Sequence, residues 1–431
     1  MKRVLLTILA LLVLSVSAQV QAANHYVRIG STNNGDGTSW ANAVGAGQPG
    51  AFNALPATLT RGDTYYLSDG SYGSYTFNDA VSGSTYIYLK KATASSHGTE
   101  VGWSSSYGDG VATFGNLTFT TSYWDIDGIE GSSNSGHLIK VDTTAGDACI
   151  MSNCSYIRFT HVEFDANGQD DEDIIYANSV STQSTNLYFG YCYMHDCGRC
   201  QFLFRNTSDS TIEYGWFEKN HWDGVVHAEG ISAYSGNTGN IIVRHNTWVD
   251  ISGTGTLMIA GDGWEIYGNL MYWTGGQKTN AHSDCAIGNW GGKDQGTFGS
   301  SDTKIYNNTI CDISTGNAGI YMYSGESGNV AYNNLWVNNY AVGLSNITQS
   351  NNTTSGSTSL FTDYSGDDFT LTQATDEGKG DLGSPYNVDM SGNTRGSDGW
   401  WDRGAYEYGS GGGGASETYK GCGGSFSFGG S

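Results

Sequence analysis

Proline is nearly absent, 3 residues in 431, which leaves no proline-rich linker between domains. Basic residues are also scarce. Nineteen Lys and Arg stand against 42 Asp and Glu, a formal net charge of -23, and such a chain repels nucleic acid and the face of any polyanion. Long apolar runs are missing except for Val4 to Val16, which is short for a membrane span. Lys2 and Arg3 precede that run and Val20-Gln21-Ala22 closes it as a small-residue cleavage site, so residues 1–22 read as a signal peptide. Losing Lys2 and Arg3 with it takes the charge from -23 to -25. The expectation is a secreted or cell-surface chain with no nucleic-acid partner and no membrane span after signal removal.

The chain does contain a repeated strand-sized phrase. Trp264 opens Trp-Glu-Ile-Tyr-Gly-Asn-Leu-Met, Thr303 opens Thr-Lys-Ile-Tyr-Asn-Asn-Thr-Ile, Asn329 opens Asn-Val-Ala-Tyr-Asn-Asn-Leu-Trp, and Ile241 to Trp248 fits the same frame. Asn246, Asn269, Asn308 and Asn334 thereby become equivalent. Earlier segments accept the frame with Val162, Cys192 and Phe217 at the asparagine place. The third position of each phrase gives anchors Ile126, Phe159, Phe189, Tyr214, Val243, Ile266, Ile305 and Ala331, at steps of 23 to 39 residues. The phrases are too short and too Gly/Asn-punctuated for helices. Units that bury a stripe only against their neighbours make a solenoid, here an all-β parallel β-helix, and stacked asparagines would hydrogen-bond along its axis.

At this point the chain resembles the right-handed parallel β-helix proteins, the superfamily that holds pectate-lyase-like and related carbohydrate-active enzymes. Tyr26-Val27, Gly35-Asp36-Gly37-Thr38-Ser39-Trp40, Gly62 to Leu67 and Asp69-Gly70-Ser71-Tyr72 are similar to the first turn of many secreted members. Asp368 to Leu371 and Asp402 to Tyr408 are similar to their closing segment. The resemblance implies a fold more than an activity, because many chemistries share this scaffold.

The domain reading is a signal peptide over 1–22, one β-helix domain over 23–408 and a flexible Gly/Ser-rich tail over 409–431. A solenoid of this length is allowed because its core grows by adding coils. Cys422 in the tail would be a reactive handle if the tail serves attachment. The other cysteines are Cys149, Cys154, Cys192, Cys197, Cys200, Cys285 and Cys311. An even count in an exported chain predicts some disulfides without giving their connectivity. Cys149 with Cys154, Cys192 with Cys197 or Cys200, and Cys285 with Cys311 are the available pairs. Cys192, His195, Cys197 and Cys200 also have the donor types of a metal site, although in the repeat frame Cys192 points inward and His195 lies just beyond the strand. The 28 Tyr and 12 Trp suit strands and cores, with any remainder free to stack on sugar rings.

Chemistry is expected where the solenoid is decorated. His227-Ala228-Glu229 and His282-Ser283-Asp284 repeat a His-x-acid pattern ahead of an apolar residue, and Asp173 precedes Ile174-Ile175 in the same way. With coils about 4.8 Å apart, Asp173, Glu229 and Asp284 on alternate coils fall near the upper end of the roughly 6.5–9.5 Å used by inverting glycosidases. His227 and His282 would stand beside them as bases or proton-holders. Lys219 appears to the same frame as a break in an apolar column of Phe164, Met194, Trp248, Met271, Ile310 and Trp336. A lysine against such a wall has the lowered pKa that a β-elimination base needs, with Arg199 or Arg205 steadying the product anion. Asp170-Asp171-Glu172-Asp173 is an acid run of the kind that holds Ca²⁺.

Two functions follow. The first is an exported polysaccharide lyase or glycoside hydrolase acting on an extracellular polysaccharide. The second is a non-catalytic adhesin or matrix protein that uses the β-helix as a stiff stalk. Neither reading sets an oligomeric state.

Overall fold

The computed structural model describes residues 22–169, 172–220, 228–235, 237–276, 283–289, 299–375, 378–380 and 382–409. The expected signal peptide up to Gln21, the expected tail after Gly409, and Asp170, Asp171, His227, His282 and Cys422 lie outside the described residues. Among those described, no helix is long and apolar enough to cross a membrane.

Three short strands make one coil, as in Ile157–Thr160, Val162–Gln169 and Ile175–Asn178. Ile157–Thr160 alternates buried and half-buried residues, the period-2 signature of a strand with one face in a core. Strands equivalent to the first of the coil form a 12-stranded sheet, here the first face. Those equivalent to the second and third strands line the second and third faces. These two faces join in one 19-stranded sheet because the long strands Gly70–Phe77 and Ala112–Phe119 run through both. Each strand pairs in parallel with its equivalent one coil away, so the chain is an all-β parallel solenoid.

The register corrects the repeat frame at one coil. On the first face the inward column is Ile126, Phe159, Phe189, Ile212, Val243, Ile266, Ile305 and Ala331. Ile212, not Tyr214, is the anchor. On the second face the column is Phe164, Met194, Phe217, Trp248, Met271, Ile310 and Trp336. Phe217 therefore fills the place assigned to Lys219, and the apolar column is unbroken. A slip of two residues keeps every side chain on its own side of the strand, which is why the hydrophobic pattern alone did not expose it.

One residue turns the chain from the first face to the second, and it is left-handed in coil after coil: His161, Tyr191, Tyr214, His245, Asn307 and Asn333 have φ between 53° and 60°. The residue after it points into the core. Asn246 donates to Asn269 Oδ1 at 3.0 Å, Asn269 to Asn308 at 2.9 Å, Asn308 to Asn334 at 2.9 Å, and Asn334 to Asn352 at 3.1 Å. Each of these acceptor oxygens also receives the backbone N–H of the preceding asparagine. In the coil before Asn246 the equivalent residue is Gly215, where any Cβ would lie 2.2 Å from the Phe217 ring.

The disulfide expectation is not met. The seven described cysteines are buried free thiols. Most occupy inward positions as small apolar side chains, and burial pushes the Cys192 thiol up to about 12. Cys285 sits on the third face and Cys311 on the second, so neighbouring coils do not bring that pair together. The Cys192, His195, Cys197, Cys200 metal set also fails. His195 lies within the strand Tyr193–Cys197, with its side chain on the outward face beside Glu163, while Cys192 bonds inward to the Phe159 and Gly190 carbonyls.

Near the C-terminus the chain folds back over the second face. Val249, Leu270, Tyr272, Cys311, Leu335 and Val337 point outward there and are covered by Phe361 and Phe369, with Met390 and Tyr406 at the margin. Arg395, fully buried, anchors this segment on Glu407 and on the carbonyls of Gly404 and Ala405.

Replacing Asn308 by Ala strips partners from the Asn269 amide and backbone N–H, the Ile266 carbonyl and Asn334 Oδ1. The Asn269 amide and Asn334 Oδ1 keep other partners while the Asn269 backbone N–H is left without its acceptor. At about 1–3 kcal/mol for a buried group left unpaired, N308A is expected to lose about that much and N352A, at the half-buried end of the column, less. Thermal and urea melts of the two variants check the order. Equal small losses would mean that the column contributes little.

Candidate functional site

The third face carries most of the residues singled out in the sequence. Its inward column is Ile175, Phe202, Ile231, Leu257, Ile287 and Ile320. Two residues earlier the register aligns Asp173, Cys200, Glu229, Gly255 and Cys285, so Asp284 stands one residue out of phase with Glu229. One residue of slip reverses the face. Asp173 and Glu229 are accordingly fully buried, whereas Asp284 is exposed. The single groove expected for Glu229 and Asp284 does not form, and their partners His227 and His282 lie outside the described residues.

Asp173 is held on both oxygens. Arg199 Nη1 donates at 3.1 Å to one and the Cys200 backbone N–H at 3.1 Å to the other. Burial raises its carboxyl to about 7 although the Arg199 charge opposes the rise. The Cys200 thiol donates to Glu229 Oε2 at 3.5 Å. An Asp173 so committed, with a guanidinium against it, does not fit a Ca²⁺ ligand set. Asp170 and Asp171, the other acids proposed with Glu172, are outside the described residues. Lys219 lies on the second face, where its ammonium pairs with Glu218 at 3.0 Å. Hydrogen bonding to Glu218 raises its pKa, the opposite of what a base of lowered pKa requires.

Outward of the inner column, the third face presents Tyr176, Leu203, Ser232 and Met258 in one row and Asn178, Arg205 and Tyr234 in the next. Arg205 is exposed and Arg199 half-exposed. Asn178 donates to the Tyr176 hydroxyl, and its own Oδ1 is buried with no hydrogen-bond partner among the described residues. Ser232 donates to Tyr234 at 3.3 Å.

The second face holds a cluster that sequence reasoning missed. Where the C-terminal segment stops covering it, the outward rows become Lys140, Glu163, Tyr193, Trp216 and Asp142, Asp165, His195, Glu218. Lys140 Nζ lies 3.2 Å from Glu163 and 2.8 Å from Asp165. His195 pairs with Asp196 at 2.6 Å and with Glu163 at 3.4 Å, and its ring stacks on Tyr193 at 4.2 Å. Tyr193 and Trp216 both donate to Glu218, at 2.8 and 2.7 Å. Ligand atoms of Glu163, Asp165 and His195 all lie within 4.8 Å of one another, but Lys140 already places a cation between the two carboxylates. The signal was present in the sequence as Lys140-x-Asp142, Glu163-x-Asp165, Tyr193-x-His195 and Trp216-x-Glu218, polar residues flanking each inward one.

Burial opposes the charged imidazole of His195, yet the hydrogen bonds to Asp196 and Glu163 and the charge of Asp165 outweigh it and raise the pKa to about 9. A raised pKa on a base means that its stabilising contribution is complete below the unfolded value of about 6.5 and is lost as the pH climbs through about 9. The melting-temperature advantage of the wild type over H195N is thus expected at pH 6 and should vanish near pH 10, with the imidazole NMR shifts titrating near 9. A midpoint near 6.5 would show that the carboxylates do not hold the ring.

A sequence-family profile for the "Right handed beta helix region" matches residues 101–271. No curated protein matches the sequence. Among solved structures, the crystal structure of pectate lyase Pel9A superposes with a TM-score of 0.55 at 15% identity, over 90% of this chain and 96% of that one. The PL6 family alginate lyase AlyGC follows at 0.33 and 11%, over 68% and 48%. The A-module of the Azotobacter vinelandii mannuronan C-5 epimerase AlgE4 gives 0.30 and 12%, over 68% and 91%. Coil, register and likeness to Pel9A agree, and the chain has the right-handed parallel β-helix fold of the pectate-lyase-like kind.

Proposed function

We propose that this protein is a carbohydrate-active β-helix protein that is exported, binds an extracellular acidic polysaccharide along its third face and cleaves it as a lyase. The observation that carries the reading is Arg205, an exposed guanidinium between Asn178 and Tyr234 on adjacent coils, with Arg199 nearby in the preceding turn, on a chain whose net charge is -23. Two arginines on one face of so acidic a protein favour a carboxylate-bearing partner, and a guanidinium binds a carboxylate in a two-pronged geometry that a lysine cannot copy. Tyr176 and Tyr234 offer ring surface beside it. The extended run of equivalent positions, one per coil, suits a polymer rather than a small molecule.

In a β-elimination the cation pairing with a uronate carboxylate eases loss of the C5 proton to a base. The electron pair left behind forms the C4=C5 double bond as the glycosidic C4–O bond breaks and its oxygen takes up a proton from an acid or water. The exposed Asp284 is the acceptor this reading assigns on the described chain, together with His227 and His282, which precede third-face strands in the sequence and lie outside the described residues. Hydrolysis is less favoured, because the paired carboxylates it needs are divided between the buried Asp173 and Glu229 and the exposed Asp284. A Ca²⁺ requirement is a separate part of the proposal. A second reading, the non-catalytic adhesin or matrix protein, is favoured by the second face, whose charged groups largely neutralise one another.

The purified protein should be incubated with uronate-bearing and neutral polysaccharides, with and without EDTA, and read for reducing ends and for the absorbance of unsaturated uronate. A lyase gives both signals on an acidic polymer, a hydrolase only reducing ends and an adhesin neither. On the polymer that responds, R205A is expected to lose about 10- to 100-fold in kcat/KM, the equivalent of one charge-assisted contact of roughly 1.5–3 kcal/mol. An unchanged rate would remove Arg205 from the site.

A further inference from the structure

A cleft of about 70 Å³ opens at the corner between the first and second faces, away from the third. Its floor is a stack of rings from the left-handed turn residues. His161 and Tyr191, Tyr191 and Tyr214, and Tyr214 and His245 are each 5.1 Å apart and within 18° of parallel. Stacking covers the ring faces and leaves their edges toward the opening, where the Trp216 indole and the Thr247 hydroxyl join them.

Both side walls are built rather than loose. One is Ser132 and Ser133, in a turn closed by backbone bonds between Ser132 and Ser135 of 3.1 and 3.2 Å. His137 ties the same loop to the corner by donating to the Tyr191 carbonyl at 2.9 Å. The other wall is Met390, whose backbone N–H reaches the Ala405 carbonyl at 2.9 Å. It belongs to the segment that Arg395 anchors. The cleft thus lies between two separately fixed appendages of the solenoid.

The lining has a distinctive chemistry for so acidic a chain. Among the described residues no carboxylate, lysine or arginine contributes to it. Its one titratable side chain of ordinary pKa near neutrality, His245, is held uncharged by burial and by the charges of Arg244 and Arg395, with its pKa pushed down to about 3. His245 is 3% exposed, and its Nδ1 is buried with no hydrogen-bond partner among the described residues. Nδ1 lies against Gly268 of the next coil, so a ligand can meet only the part of the ring that borders the cleft. Apolar ring edges, an indole, hydroxyls on two sides and a neutral imidazole together match a ligand that has C–H surface and hydroxyls but no charge.

We propose that this corner cleft is a binding site for the edge of an uncharged pyranose, distinct from the acidic-polymer face and resting on the carbohydrate reading made above. Trp216 packs against the C–H side of the sugar, Ser133 and Thr247 exchange hydrogen bonds with neighbouring hydroxyls, and His245 is the neutral polar group at the base. A cleft of about 70 Å³ suits the edge of one ring. The site therefore fits a neutral residue or branch of a polysaccharide held beside the acidic stretch.

Saturation-transfer NMR on the full chain tests this with methyl glucoside, methyl galactoside and methyl mannoside, and with methyl glucuronide as the charged counterpart. At least one neutral glycoside should receive saturation, and the glucuronide should receive less. Trp216→Ala and His245→Phe should each weaken that binding by tenfold or more. The second keeps an aromatic ring in the stack, so an intact melting temperature shows that the loss comes from the missing nitrogen. No transfer to any neutral glycoside, transfer unchanged in both variants, or a glucuronide that binds as well overturns the proposal. Polymer cleavage that persists without any glycoside signal would overturn the cleft and leave the third-face function standing. A glycoside signal with no cleavage or binding of any acidic polymer would do the reverse.

Discussion

The structure depends on its tight corner. A parallel coil must pass from the first face to the second within a single left-handed residue, and the backbone groups beside that turn are buried, where an unpaired N–H or C=O is costly. From Asn246 to Asn352 the asparagine side chains meet this cost. Each amide donates to a carbonyl of the previous coil and to the next amide, while its oxygen serves the coil before it. In the earlier coils the same place holds Val162, Cys192 and Gly215, and aromatic packing takes over. Phe217 fills the room that Gly215 leaves, and Phe164 and Phe159 meet at 5.2 Å. The two halves of the solenoid solve one steric problem with different chemistry.

Because that corner fixes the direction of every strand, it also decides what the outside can display. Alternate residues of the second face must point outward whatever their character. Those from Val249 to Val337 are mostly apolar and lie under the C-terminal segment, while those from Lys140 to Glu218 carry the charged groups, with His195 and Glu218 buried beside Tyr193. Composition changes where the cover ends. The charged part is satisfied internally: Glu163 and Glu218 have pKa values below the usual range because cationic and hydrogen-bonding neighbours overcome the effect of burial. In a chain of net charge -23 such pairing keeps like charges on neighbouring coils from repelling across about 4.8 Å.

The sequence made the architecture readable because inward positions recur with both an apolar character and a fixed asparagine. It was less informative about outward positions, for a reason seen in two errors. Lys219 and Tyr214 were misplaced by two residues, a slip that preserves the inside and outside of a strand and so leaves no trace in hydrophobicity. Asp284 was misplaced by one, which reverses the face, and the short insertions between strands hide where such a step occurs. The cysteines misled for another reason. Their even number and the expectation of export point to bridges, whereas the repeat frame puts Cys192 inside, where a thiol serves as a small apolar side chain. Lys140, Glu163 and His195 are far apart in sequence and adjacent only through register, so the polar pairs that flank each inward residue do not by themselves show which of them meet.

These constraints favour separate sites on one rigid body over a single deep pocket. Among the described residues the interior is filled coil by coil by apolar side chains, which favours recognition on outward rows and at the edges of appended loops. Rows on a solenoid face repeat at the coil spacing and suit a polymer, as on the third face around Arg205. Corners carry one residue per coil, and a cleft forms there only where loops from other parts of the chain supply walls, as Ser132–Ser133 and Met390 do. Under the proposed function, the exposed Arg205 of the third face would meet the acidic polymer while the uncharged corner would contact an uncharged unit of the same polymer. Spatial division of charge, with Arg199 and Arg205 on the third face and a neutral His245 at the corner, permits both contacts without the two sites sharing a residue.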